Sequence, residues 1–155
     1  MKKKIFLLIG IITVGLTAFS QVTTQELELV KSILKSERKV FFVQNMQLST
    51  EEFNRFWPIY DKYQEEESKV QANVISDYKK MVNQSDELTD EELEKINKNY
   101  FTRSKKLVAL QMKYYKMVKK EFGVGAATRF LQIDRFVDAT IRATLFSEMP
   151  LIKKK

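Results

Sequence analysis

The chain has 155 residues, with 27 Lys and Arg against 20 Asp and Glu, a formal net charge of +7, and neither histidine nor cysteine. Without cysteine it forms no disulfide and carries no lipid on a cysteine, and the lack of both residues argues against soft-metal sites. It also lacks a glycine-rich phosphate loop and a nucleophile elbow, so we predict a protein that is not an enzyme and needs no cofactor.

The first twenty residues are typical of an export signal. Lysines at 2–4 precede an apolar stretch at 5–19 that is too short to favour a membrane span, and Ala18 and Ser20 supply the small side chains that signal peptidase requires. We predict a signal peptide over residues 1–20, cleaved after Ser20, and a single helical domain over residues 21–155. The predicted location is the periplasm, which we prefer to secretion from the cell. The alternative to cleavage is a signal that stays uncleaved and anchors the protein in the membrane.

A first helix is predicted from the caps Thr23 and Thr24 to about Asn45. Its apolar positions are Leu27, Val30, Ile33, Leu34, Val40, Phe41 and Phe42. Its basic side chains are Lys31, Lys35, Arg38 and Lys39. We interpret this basic side as a solvated face in preference to a binding surface.

A capping box starts the second helix, because Ser49 is followed three residues later by Glu52. We predict one helix from Thr50 to about Val82. Its aromatic residues recur at spacings of three and four and share a face: Phe53, Phe56, Trp57, Tyr60 and Tyr63. Pro58 lies two turns inside this helix and removes one backbone hydrogen bond, so we expect a kink there.

A second capping box, formed by Thr89 and Glu92, starts the third helix. Its predicted inward positions are Leu93, Ile96, Tyr100, Leu107, Leu110, Tyr114 and Met117. A neighbouring apolar row comprises Phe101, Val108, Tyr115 and Phe122. Two adjacent rows cannot both face one partner, so the second row predicts a second subunit, cover by a fourth helix, or exposure.

Gly123 and Gly125 are predicted to end the third helix through a left-handed glycine cap. A fourth helix follows from about Ala126 to Glu148, and Pro150 stops it. Its predicted inward positions are Phe130, Leu131, Val137, Ile141 and Leu145. No segment alternates convincingly with a period of two, so the predicted fold is all-α.

The acidic residues offer little chemistry. Asp134 and Asp138 lie one helical turn apart and could pair as acid and base, but Asp138 is also four residues before Arg142, the spacing of a surface ion pair. We prefer the structural interpretation. The glutamates at 65–67 point in different directions on a helix, so they indicate a solvated face and no metal site is predicted.

The motifs resemble those of the bacterial Spy/CpxP-like envelope proteins, which carry LTxxQ repeats. The residues of the resemblance are Leu48, Ser49 and Glu52, then Phe56, Trp57, Pro58, Ile59 and Tyr60, and the second copy Leu88, Thr89 and Glu92. Both copies depart from the family by having glutamate where the motif has glutamine. The resemblance implies an all-α, elongated antiparallel helical hairpin of about four helices with a long, kinked second helix, assembled as a homodimer.

Basic residues interleaved with aromatics on the third helix are the candidate binding surface: Arg103, Lys105, Lys106, Lys113, Tyr115 and Lys116. The resemblance implies an ATP-independent periplasmic chaperone, or envelope-stress protein, that holds partly unfolded clients on a basic amphiphilic surface. A plain solvated face is the alternative for these residues. Alternative functions are a sensory or inhibitory domain that binds a membrane kinase or sigma-factor regulator and, more weakly, a domain that binds anionic membrane. Removing the signal lowers the net charge to +4, and nucleic acid is not a predicted partner.

Overall fold

The computed structural model describes residues 37–147 and 149–153, which lie within one compact unit, Leu34–Lys155. The predicted signal peptide and the first part of the predicted first helix lie outside the described residues. The described residues form four helices and no strand, which confirms the predicted all-α class. None of these helices combines the length and the hydropathy needed to cross a membrane.

The first described helix, α1, covers residues 37–45 and is followed by α2 (Thr50–Val70), α3 (Val74–Asn83) and α4 (Asp90–Ser147). Both predicted capping boxes form. The Ser49 N–H donates to Glu52 Oε2 over 2.8 Å while the Glu52 N–H donates to Ser49 Oγ over 3.3 Å. Thr89 and Glu92 make the same reciprocal pair at 3.1 and 3.2 Å.

The prediction of one continuous second helix is wrong at residues 71–73, where a turn separates α2 from α3. The backbone tightens at this point, because the Val74 N–H donates to Gln71 O, three residues back, over 3.0 Å. α3 has no fully buried residue, so little packing energy favours a continuous helix through the turn. Pro58 is exposed in the interior of α2, which continues past it to Val70.

Gly123 interrupts α4 and turns the chain back on itself. Gln111 Nε2 donates to Asp134 Oδ2 over 3.0 Å although the two residues are 23 positions apart, a separation that would span about 34 Å in a straight helix. α4 is therefore an N-terminal arm, residues 90–122, and an antiparallel C-terminal arm, residues 124–147. The predicted helix end at Gly123 is confirmed, but its φ of 84° and ψ of 172° differ from the left-handed helical cap that we expected.

The other neighbouring segments are also antiparallel. α2 and α3 run against the N-terminal arm, as their ion pairs show: Arg55–Glu121, Glu66–Lys113 and Asp77–Arg103. α1 runs against both α2 and the C-terminal arm, as their contacts show: Phe42–Tyr60, Arg38–Glu67, Phe42–Phe130 and Arg38–Asp134. The chain therefore alternates in direction through α1, α2 and the two arms of α4, as in an up-down-up-down bundle.

Aromatic side chains dominate the core between these four segments. Its fully buried members include Phe42, Met46, Phe56, Tyr60, Tyr63, Tyr114, Val118, Ala127 and Phe130. Trp57 is half-buried at the edge, stacked on Phe53 with ring centroids 5.3 Å apart. Leu48 packs against this core cluster, whereas Leu88 is buried outside it. The aromatic motif of α2 is thus part of the core, as its spacing predicted.

Candidate functional site: an outer seam on α4

The N-terminal arm of α4 carries a regular seven-residue pattern on the side facing away from the core. Written as a heptad, its a positions are Lys98, Lys105, Met112 and Lys119. Its d positions are Phe101, Val108, Tyr115 and Phe122. We call these eight residues the outer seam. Spacings of three and four place them along one stripe of the helix.

The outer seam exposes large apolar side chains to solvent. Phe101 is 62% exposed, Val108 64% and Met112 53%. Tyr115 and Phe122 are half-buried and pack against the core, so they anchor one edge of the seam. The second apolar row is therefore exposed at Phe101 and Val108 only, so exposure, one of the three outcomes that the sequence left open, holds for half of the row.

Basic residues predominate around the outer seam. From residue 95 to residue 120 the chain has nine Lys and Arg and no Asp or Glu. The lysines of the seam are exposed, and none of them forms an ion pair with another residue in the described part of the chain. An uncompensated positive stripe of this kind attracts acidic partners over a distance of roughly 10 Å at ordinary ionic strength.

Three of the six predicted binding residues lie on or beside the outer seam: Lys105, Tyr115 and Lys116. Lys106 is exposed. The other two are engaged within the protein. The side chain of Arg103 is only 15% exposed and pairs with Asp77 at 3.3 Å, and Lys113 Nζ lies 2.6 Å from Glu66 Oε1. Arg103 therefore does not lie on an exposed basic surface, in contrast to our expectation.

The pair between Lys113 and Glu66 helps to fix which face of α4 is turned outward. The Tyr114 hydroxyl donates to the same Glu66 carboxylate over 2.9 Å, so two neighbouring side chains hold the arm against α2. These two donors hold the pKa of Glu66 below its usual range, and burial raises the pKa of Tyr114 to about 12. With this side of the arm bound to α2, the outer seam faces solvent.

Behind the outer seam, a buried charge cluster joins the four segments of the bundle. Arg38 of α1 donates to Asp134 and lies 3.3 Å from Glu67 and 3.5 Å from Asp138. The Tyr63 hydroxyl donates to Asp134 Oδ2 over 2.7 Å. Gln111, one residue before Met112 of the seam, donates to the same oxygen. The guanidinium of Arg38 therefore lies among three carboxylates, those of Glu67, Asp134 and Asp138.

Burial controls the protonation of this cluster. Asp134 is completely buried and Glu67 is 3% exposed. Burial raises the pKa of Glu67 to about 7, because desolvation outweighs the attraction of Arg38. Burial also raises the pKa of Asp138, and the three carboxylates hold the pKa of Arg38 above its usual value. The side chain of Asp138 is only 12% exposed.

The sequence predictions placed the members of this cluster on solvated surfaces, and those predictions are wrong for Arg38, Glu67 and Asp138. Asp138 is mostly buried, and its distance to Arg142 is 3.9 Å, longer than that to Arg38. One signal could have revealed the cluster, because its charged residues continue the apolar stripes at spacings of four. Arg38 precedes Phe42 by four, and Glu67 follows Tyr63 by four.

The described residues contain no group of three or more acidic side chains placed to hold a metal ion. The resemblance to Spy/CpxP-like proteins rests on the sequence motifs, two of which form the capping boxes of α2 and α4. Comparisons of the chain with protein-family models, with curated protein sequences and with solved structures give no match.

Proposed function

We propose that the protein is an exported, ATP-independent chaperone or envelope-stress protein that holds partly unfolded, acidic polypeptides on the outer seam of α4. One observation carries the proposal: exposed apolar side chains alternate with lysines that have no ion-pair partner in the described part of the chain, within residues 95–120, which contain no acidic residue. The N-terminal segment, typical of an export signal, supports a periplasmic location.

The chemistry of the outer seam is suited to weak and broad binding. Lysines attract acidic chains from a distance, and their aliphatic stems add apolar contact around Val108 and Met112. A patch of three exposed apolar side chains buries little area, so a client that completes its own core gains more by folding than by staying bound. Release then requires no ATP.

The test is light scattering of two unrelated acidic proteins, diluted from denaturant into buffer with and without the purified protein. We expect suppression of aggregation for both clients, weakened by added salt. Val108→Ser should weaken client binding about fivefold, the loss expected if about 1 kcal/mol of apolar burial disappears.

Val40→Ser is the matched control, because Val40 lies on α1 and is 55% exposed, close to the 64% of Val108. It should leave the suppression unchanged. Equal effects of the two substitutions, or no suppression by a folded helical sample, would contradict the proposed chaperone.

The heptad regularity of the outer seam favours a second candidate function, a sensory or inhibitory domain that binds one membrane signalling protein. A broad client surface needs no fixed spacing, whereas a single helical partner does. Such a protein would fail the scattering test yet retain one partner, a kinase or a sigma-factor regulator, in a cross-linking pull-down from envelope extracts.

A further inference from the structure

We propose that the outer seam docks an acidic amphipathic helix of another protein, packed along the N-terminal arm of α4 in the manner of a coiled coil. This inference rests on the proposed binding surface and narrows its partner to one chemistry and one conformation. The partner would present apolar residues to the d positions and carboxylates to the lysines at the a positions.

The spacing of the outer seam fits a helical partner. The eight positions alternate by three and four residues from Lys98 to Phe122, so the seam averages 3.5 residues a turn. This stretch is about 36 Å long at 1.5 Å per residue, which matches a helix of about 25 residues. Val108 and Met112, both exposed, lie at its centre, where a docked helix would bury them most fully.

An extended segment fits the outer seam less well. The backbone groups of the N-terminal arm are used within the helix, so it offers no free edge to which a strand could add. The backbone amides of an extended chain on this face would hydrogen-bond only to water. Its side chains would repeat every two residues, which does not match the 3.5-residue repeat of the seam. A helix satisfies its backbone internally and presents its side chains at the same repeat as the seam.

A second copy of the chain is the wrong occupant for this face. In a parallel pair, Lys98, Lys105 and Lys119 would each face their own copies across the interface. An antiparallel pair with the two seams aligned gives little relief, because residues 95–120 of each copy contain nine basic and no acidic side chains. The homodimer that we expect from the sequence would therefore use a different face.

The test uses a fluorescent peptide of about 25 residues, the length that spans the seam, with leucine at its d positions. Glutamate occupies each a position except the one facing Met112, and the remaining positions are uncharged helix formers. A scrambled peptide of the same composition and charge lacks the heptad. We expect the heptad peptide to gain helicity with the full-length protein and to bind at least about tenfold more tightly than the scrambled one.

Charge reversal at the a positions supplies the specific check. The double substitution K105E/K119E should weaken binding of the glutamate peptide about tenfold or more, and should favour a peptide with lysine in place of glutamate. Lys62→Glu on α2 is the control, since Lys62 is exposed and remote in sequence from the seam. Lys105 and Lys119 are both exposed, so we expect the double variant to fold. Circular dichroism checks that it keeps its helical content.

Three results would overturn the helix proposal, and the first two leave the chaperone proposal intact. Equal affinity for the heptad and scrambled peptides would mean that charge alone drives binding. No peptide binding by a protein that still suppresses aggregation would mean that the surface takes unfolded chains only. In both cases the proposed chaperone function would survive, so the two proposals fail separately. If Val108→Asp left peptide binding unchanged, the peptide would be bound elsewhere, which would also overturn the docking proposal.

Discussion

Arg38 is the side chain on which the buried charges depend most directly. It is the cation nearest to Glu67 and Asp134, and its own side chain is only 8% exposed. We expect Arg38→Met to lower the free energy of unfolding by about 3–5 kcal/mol, because it leaves carboxylates buried without their partner. Arg38→Lys should recover only part of this loss, since an ammonium cannot reproduce the planar donor set of arginine. Urea unfolding at pH 7 measures both effects.

Arg142→Met is the matched control for this prediction. Arg142 is 50% exposed and lies 3.9 Å from Asp138, so it touches the edge of the cluster from solvent. The expected loss is below about 1 kcal/mol, as for exposed ion pairs generally. If Arg38→Met were as mild as this control, the cluster would not depend on its guanidinium.

Single-helix patterns account for most of what the sequence could predict. The capping boxes at Ser49 and Thr89 need only residues within one turn, and the buried face of Phe56 and Tyr60 follows from spacing alone. The buried cluster needs more, because Arg38 and Asp134 become partners only when α1 and the C-terminal arm meet. A charged residue on an apolar stripe has no visible partner within its own helix, so sequence reasoning assigned it to solvent.

The candidate site was predictable to a similar extent. The apolar row through Val108 and the surrounding lysines were identified from spacing, but their exposure was not. Whether the C-terminal arm covers that row depends on the direction in which the chain leaves Gly123. The sequence indicates that the helix breaks at Gly123, but it does not give the angle between the two arms of α4. Arg103 likewise needed the position of Asp77 on α3 before its charge could be assigned to an internal pair.

The two arms of α4 depend on the backbone conformation of one glycine. Gly123 has a φ of 84° with a ψ of 172°, and a Cβ added there would meet nothing within 4 Å. Gly123→Ala therefore introduces backbone strain without a steric clash. We expect a loss of about 1–3 kcal/mol in the free energy of unfolding, measured by urea denaturation.

Gly125→Ala gives the opposite expectation two residues later. An added Cβ at Gly125 also meets nothing within 4 Å, but Gly125 does not have a positive φ. Alanine should raise the free energy of unfolding by about 0.4–1 kcal/mol, because it restricts the unfolded chain. If both substitutions shifted stability in the same direction, backbone strain at Gly123 would not explain the chain reversal.

The buried cluster links four antiparallel segments of the bundle. Its members come from α1, α2 and both arms of α4, so unfolding of any one segment exposes charges that the others hold. A change in the protonation of this cluster should therefore alter the stability of the whole bundle. Glu67 faces Arg38, Asp134 and Asp138, and Gln64 and Gln71 donate to it from α2 and the following turn.

The pH dependence of stability follows from Glu67. Its pKa is about 7 in the folded protein against an ordinary 4.5, so the folded state binds this proton more tightly than the unfolded state does. The stabilisation is complete below pH 4.5 and is lost as the pH rises through 7. We expect the free energy of unfolding to fall by about 2 kcal/mol between pH 5 and pH 8, and burial of Asp138 acts in the same direction.

Two matched substitutions on α2 distinguish the contribution of Glu67 to the pH dependence of stability from the contributions of other titrating groups. Glu67→Gln removes the charge and keeps an acceptor for Gln64 or Gln71, so the variant should lose most of this slope and exceed the wild type in stability at pH 8. Glu65→Gln should keep the wild-type slope, because Glu65 is exposed and Lys69 holds its pKa below the usual value, outside this pH range. Urea unfolding at half-unit steps from pH 5 to pH 8 measures all three proteins. An unchanged slope in Glu67→Gln would mean that Glu67 is already ionised at pH 5, and that Arg38 compensates for its burial.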